Sequence, residues 1–138
     1  MRNVLLLTAT VTPPIGMPLL ARTDPVQRLQ DYTQALRFYL PLLGSTFDSI
    51  VLAENSASDI SSLRRLAVEK GAQERVEFLS FFGLDHPPSY GRGYGEFKLV
   101  DYAMRHSQFL NGDAYVWKCT GRYVVNSVLP ANLHELTM

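Results

Sequence analysis

The sequence predicts an α/β fold of three layers, α/β/α, in which a mostly parallel, Rossmann-like sheet carries helices on both faces. Three observations predict it. Apolar runs of strand length alternate with segments whose apolar residues recur at helical spacing, in the order β-α-β-α-β-α-β. The boundaries between them carry capping residues, prolines and glycines where helices start and stop. Finally, 138 residues, 46% of them hydrophobic, suit one core. No repeat, low-complexity tract or linker divides residues 1–138, so a single domain is expected.

Asn3 to Thr10 reads as a buried first strand, apolar and β-branched. Met1-Arg2-Asn3 before Val4-Leu5-Leu6-Leu7 has the start of an export signal, but the run is short and soon turns polar and proline-rich. Val11 to Thr23, with Pro13, Pro14, Gly16 and Pro18, is a loop past the end of that strand. Thr23 or Asp24 caps the first helix, with Pro25 at its first position. Val26, Leu29, Tyr32, Leu36, Tyr39 and Leu43 follow at helical spacing, and Pro41 and Gly44 end it.

Phe47 to Ala53 is the second strand, followed by Glu54-Asn55-Ser56. Ser58 or Asp59 caps the second helix, whose Ile60, Leu63, Leu66 and Ala67 face inward, and Gly71 closes it. Val76 to Phe82 is the third strand, and Gly83 to Tyr90 a long loop. The third helix is expected from Tyr94 to Leu110, with Phe97, Val100, Ala103, Met104 and Leu110 in the core. Ala114 to Cys119 is the fourth strand, Val124 to Val128 a short strand or the approach to another helix, and Pro130 to Met138 a weakly helical tail.

Thirteen basic residues balance thirteen acidic ones, so no global field draws nucleic acid or an acidic membrane, and an anion site must be local. One cysteine, Cys119, excludes an internal disulfide and fits a reducing, cytoplasmic setting. His86, His106 and His134 are scattered and do not pair with Cys119 at ligand spacing, so no metal site is expected.

The stretch Ser89-Tyr90-Gly91-Arg92-Gly93-Tyr94-Gly95-Glu96-Phe97-Lys98 is the strongest candidate for chemistry. Glycine permits close backbone approach, and a helix N-terminus offers N–H donors and positive potential. Right-handed crossovers bring it to one sheet edge with the Thr10–Pro14 loop, Glu54-Asn55 and Thr120-Gly121-Arg122. Arg92, Lys98, Lys118 and Arg122 would supply charge to a phosphate, and Gly91, Gly93 and Gly121 room. Taken singly, Lys98 and Arg122 read first as solvated surface charges; Lys118, between Trp117 and Cys119, is a charge inside an aromatic strand that only an edge position would excuse. Glu54 and Asn55 suit a ribose or a base, or else form a turn into the second helix. Neither the dinucleotide glycine fingerprint nor the Walker A pattern occurs, which argues against a nicotinamide dehydrogenase or an NTPase.

A strand ending Glu-Asn-Ser, then Gly-Arg-Gly-Tyr-Gly-Glu opening a helix, then a strand ending Lys-Cys-Thr-Gly-Arg-Tyr, resembles bacterial surface-polysaccharide glycosyltransferases of the GT-A fold. The resemblance runs from about Asn3 to Val128 and covers the nucleotide-sugar-binding N-terminal half of such enzymes. It implies transfer of a sugar from a nucleoside diphosphate sugar to a glycan hydroxyl, with the donor as substrate and no certain cofactor. It implies a nucleoside pocket at Thr8, Thr10, Thr12, Glu54 and Asn55. It places ribose and diphosphate against Arg92 and Gly93, and the end of the fourth strand, Lys118, Thr120, Gly121 and Arg122, beside them.

Where the family has a metal-holding Asp-x-Asp, this chain has Thr120-Gly121-Arg122. A hard cation needs paired carboxylates, so leaving-group charge is expected to fall to Arg122 and Lys118. No catalytic base is identified; Asp85 and His86 are candidates. The acceptor part of such enzymes follows this region, so the chain reads as a short member or as a donor-binding fragment. Contact with a membrane through a lipid-linked acceptor, and a homodimer, are further expectations. A non-catalytic nucleotide-binding or protein-interaction module is the alternative.

Overall fold

A computed structural model describes residues 1–15 and 23–122. Val124–Val128 and the 130–138 tail, for which elements are expected, lie outside the described residues, as do Gly16 and Pro18.

Four strands form one parallel sheet: β1 (Arg2–Ala9), β2 (Ser49–Glu54), β3 (Val76–Ser80) and β4 (Ala114–Thr120), in the order β3-β2-β1-β4. Helices α1 (Pro25–Tyr39), α2 (Ser61–Glu69) and α3 (Arg92–His106) connect them. The architecture is the expected three-layer, Rossmann-like one. The chain steps outward from β1 to β2 to β3, then crosses back over the sheet to lay β4 beside β1.

Strand alternation sorts the core into two halves. Leu5, Leu7 and Ala9 pack with Tyr32, Leu36 and Tyr39 of α1 and with Leu63, Leu66 and Ala67 of α2. Val4 and Leu6 point the other way, onto Leu99 and Ala103 of α3. Register then assigns the ends of β1 and β4. Thr8 stands opposite Thr120, and Leu6 opposite Lys118, so Thr8, Thr120 and Lys118 share the α3 face.

Asp24 caps α1, its Oδ1 accepting from the Val26 amide at 3.1 Å, with Pro25 in the first turn. Asp59 Oδ1 accepts from the Ser61 amide at 2.9 Å at the start of α2, and that bond holds the Asp59 carboxyl below the usual carboxylate range. Two expected core residues are corrected. Phe97 is 69% exposed and Met104 43%. Helix α3 begins earlier than expected, and its inward stripe is Gly95, Leu99 and Ala103, spaced one turn apart. Phe97 and Met104 fall off that stripe. The helix ends at His106, and Leu110 reaches the core from the following loop.

Candidate functional site

In doubly wound sheets, ligands bind beyond the carboxyl ends of the strands where the chain reverses its direction of progress across the sheet. Here that point lies between β1 and β4. The loop after β1, the end of β4 and the first turn of α3 all reach this edge.

The β1 and β2 ends are knitted into one unit by Glu54, which is fully buried. Its Oε2 accepts from the Val11 amide at 2.8 Å and from the Ser56 hydroxyl. Its Oε1 accepts from the Ser56 amide at 3.0 Å and the Ser58 amide at 3.2 Å. A carboxylate offers about four lone-pair positions, and protein donors fill them here. Of the two readings of Glu54, ligand contact or turn into the second helix, this geometry favours the second: the residue anchors two loops. Asn55, 2% exposed, accepts the Thr10 hydroxyl at 2.6 Å and hydrogen-bonds Ala9 and Gly83 through its backbone. The Thr12 amide donates to Ser56 Oγ at 3.1 Å, and the Thr12 hydroxyl lies 2.8 Å from that of Ser58. Ala57, in the same turn, has φ 54°, left-handed backbone that a side chain disfavours.

A second clamp holds Thr10 from α1. The Thr10 amide donates to Tyr32 Oη at 2.7 Å, and Arg28 Nε donates to the Thr10 carbonyl at 2.6 Å. Arg28 and Tyr32 lie one helical turn apart, so both reach the same peptide. Burial raises the Tyr32 phenol above its usual 10.0, against the lowering effect of Arg28. Sequence reading passed over Arg28; the signal was an arginine on the inward stripe of α1.

On the α3 face, Glu96 Oε1 lies 3.0 Å from Lys118 Nζ. This contact joins the Gly-Arg-Gly-Tyr-Gly-Glu turn to the Lys-Cys-Thr-Gly-Arg strand end. Thr8 Oγ1 is buried on the same face and has no hydrogen-bond partner among the described residues. Helix α3 opens at Gly91, φ 87°, with no side-chain cap on its first turn. Its leading N–H groups therefore have no capping side chain as acceptor. At Gly121 the amide donates to the Thr8 carbonyl at 2.8 Å, and a Cβ would meet that oxygen at 3.0 Å and the Tyr32 ring at 3.2 Å. A side chain there would crowd both.

The expected cluster of spare cations is not what forms. Lys98 pairs with Asp85 at 2.6 Å, Lys118 with Glu96, and Arg122 with Asp31 of α1 at 3.7 Å. Arg92 and Gly93 are exposed at the start of α3, on the opposite face of the sheet from the Arg122–Asp31 contact. Arg92 and Arg122 thus engage different layers. The Lys98 contact holds the Asp85 carboxyl below the usual range. His86 Nδ1 lies 3.5 Å from Lys98 Nζ, and its ring packs edge-on against Tyr94. Cys119 is buried with its Sγ 3.5 Å from Tyr39 Oη. Among the described residues no three His, Cys, Asp or Glu side chains are placed to share a metal ion, and no helix is long and apolar enough to cross a membrane.

No family model matches the chain, and neither curated proteins nor solved structures give a match.

Proposed function

We propose that this chain binds the nucleoside diphosphate part of a sugar nucleotide over the ends of β1 and β4. In this reading it is the donor-binding domain of a cytoplasmic glycosyltransferase that transfers the sugar to a hydroxyl of a surface polysaccharide. The observation that carries the reading is the Glu96–Lys118 contact, which seats the two most distinctive motifs against each other at the reversal point of the sheet. The uncapped first turn of α3 supplies N–H donors for phosphate oxygens. Thr10, Thr12 and Asn55 shape the nucleoside side of the site in this reading, and Glu54 holds those loops.

Thermal unfolding with UDP, GDP and CDP sugars tests this. A ligand of the folded state at a hundredfold excess over its Kd stabilises by about 2.7 kcal/mol, so at least one nucleotide should raise Tm. No shift with any of them would overturn the reading. Chelator should leave the shift unchanged, because Thr120-Gly121-Arg122 stands where a metal-holding acidic pair would be needed.

One observation favours a second reading, a nucleotide-binding module without transfer. Lys98, Lys118 and Arg122 each already face a carboxylate, which lowers the positive potential left for a departing diphosphate. Release of free sugar from a bound donor separates the two: hydrolysis or transfer supports the enzyme, and binding without either supports the module.

A further inference from the structure

A shallow groove of about 330 Å³ runs along the outer side of α3, between that helix and the segment after β3. Its size falls at the lower end of small-ligand sites. Phe82 and Phe97, 60% and 69% exposed, line it with two phenyl groups that the core does not use. Its charged residues come in pairs: Lys98 with Asp85 at 2.6 Å, and Arg105 with Asp101 at 3.1 Å.

We propose that this groove binds the neutral sugar acceptor. The charge pattern selects the occupant. Two cations matched by two carboxylates give no net field, so neither an anionic lipid surface nor a basic peptide is complemented. A greasy helix would set its apolar face against ion pairs and leave them desolvated. A pyranose presents C–H groups on its faces and hydroxyls around its edge. The electron-rich faces of Phe82 and Phe97 suit the former. The carboxylates and the Lys98 and Arg105 N–H groups suit the latter. Phe97 and Lys98 of the groove and Glu96 of the donor-side motif belong to the same helix. The inference rests on the glycosyltransferase reading.

Saturation-transfer NMR with the methyl glycosides of glucose, galactose, mannose, rhamnose and N-acetylglucosamine tests it. At least one should receive saturation at its ring protons. Phe97→Ala should cut that signal about fivefold, in line with the loss of one aromatic contact, whereas Tyr115→Ala, on β4 outside the groove, should leave it unchanged. Both positions are exposed, so unchanged melting of the variants checks that the fold is intact. No transfer to any glycoside, or equal transfer in Phe97→Ala, would overturn the inference. So would concentration-dependent shifts of the Phe82 and Phe97 amides without sugar, which would mean that a second copy covers the patch. Nucleotide-induced melting shifts are read on the same samples. Retained nucleotide shifts with no sugar signal remove the groove alone. A Phe97-dependent sugar signal without nucleotide shifts keeps a carbohydrate site and removes the donor reading.

Discussion

Glu96 on α3 and Lys118 on β4 form an ion pair at 3.0 Å, with their side chains about one-third and one-fifth exposed. The pair fastens the first turns of α3 to the strand beside β1. Exposed pairs contribute about 0–1 kcal/mol, and partial burial moves such a pair toward the top of that range. A double-mutant cycle of Glu96→Gln and Lys118→Met, read by urea unfolding, should therefore give a coupling of about 1 kcal/mol. A coupling indistinguishable from zero would mean that the two motifs are held together by something else.

Two glycines of the site should respond in opposite ways to the same change. At Gly121 an added methyl would meet the Thr8 carbonyl and the Tyr32 ring, both fixed in the core. Gly121→Ala should lower stability by about 1–3 kcal/mol. Nothing lies within 4 Å of a methyl at Gly93, which is helical. Gly93→Ala should be neutral or stabilise by up to about 1 kcal/mol. If nucleotide approaches the α3 backbone closely, Gly93→Ala should nevertheless weaken the nucleotide-induced melting shift. Comparing melting with and without nucleotide checks both halves.

These contrasts also mark what the sequence could reveal. The four strands were legible because each is a compact apolar run bounded by turn residues, and their parallel direction followed from alternation with helices. The phase of α3 was not legible. Phe97 and Met104 are large and apolar, yet Gly95, Leu99 and Ala103 form the stripe that meets the sheet. Hydrophobicity names the residues but not which side of a glycine-rich helix start docks. At the site, the loops were legible because strand ends must lie at the carboxyl edge. The charge pairing was not: Arg122 with Asp31, and Lys118 with Glu96, join different elements, and no local spacing announces such partners.

Asp85 offers a pH test. Its carboxyl is held below the usual 3.8, first by the hydrogen bond from Lys98. The folded state therefore binds this proton less readily than the unfolded chain. The stabilisation is present above the unfolded value and is lost as pH falls through the lower, folded one. Because Asp85 is exposed, the effect on total stability is small, and the titration itself is the better readout. NMR of the carboxyl carbon should show a midpoint below 3.8, and Lys98→Met should move it upward. An unchanged midpoint in Lys98→Met would show that the 2.6 Å contact does not persist in solution.

Glu54 gives the sharpest division between a ligand contact and a scaffold. Its oxygens satisfy the amides of Val11, Ser56 and Ser58 and the hydroxyl of Ser56, and none of its surface is exposed. In Glu54→Gln the amide nitrogen replaces one acceptor oxygen and meets N–H or O–H donors. Leaving a buried polar group unsatisfied costs about 1–3 kcal/mol, so Glu54→Gln should lose at least that much. Glu54→Ala removes every acceptor at once and should lose more. A nucleoside ligand role predicts the reverse pattern: near-native melting without nucleotide, and a deficit that appears only when nucleotide is added. Because the Thr10–Thr12 loop hangs on Glu54 through Val11 and Ser56, the structure predicts that the deficit is already full in the unliganded protein. Urea unfolding of wild type and Glu54→Gln, each with and without nucleotide, measures it.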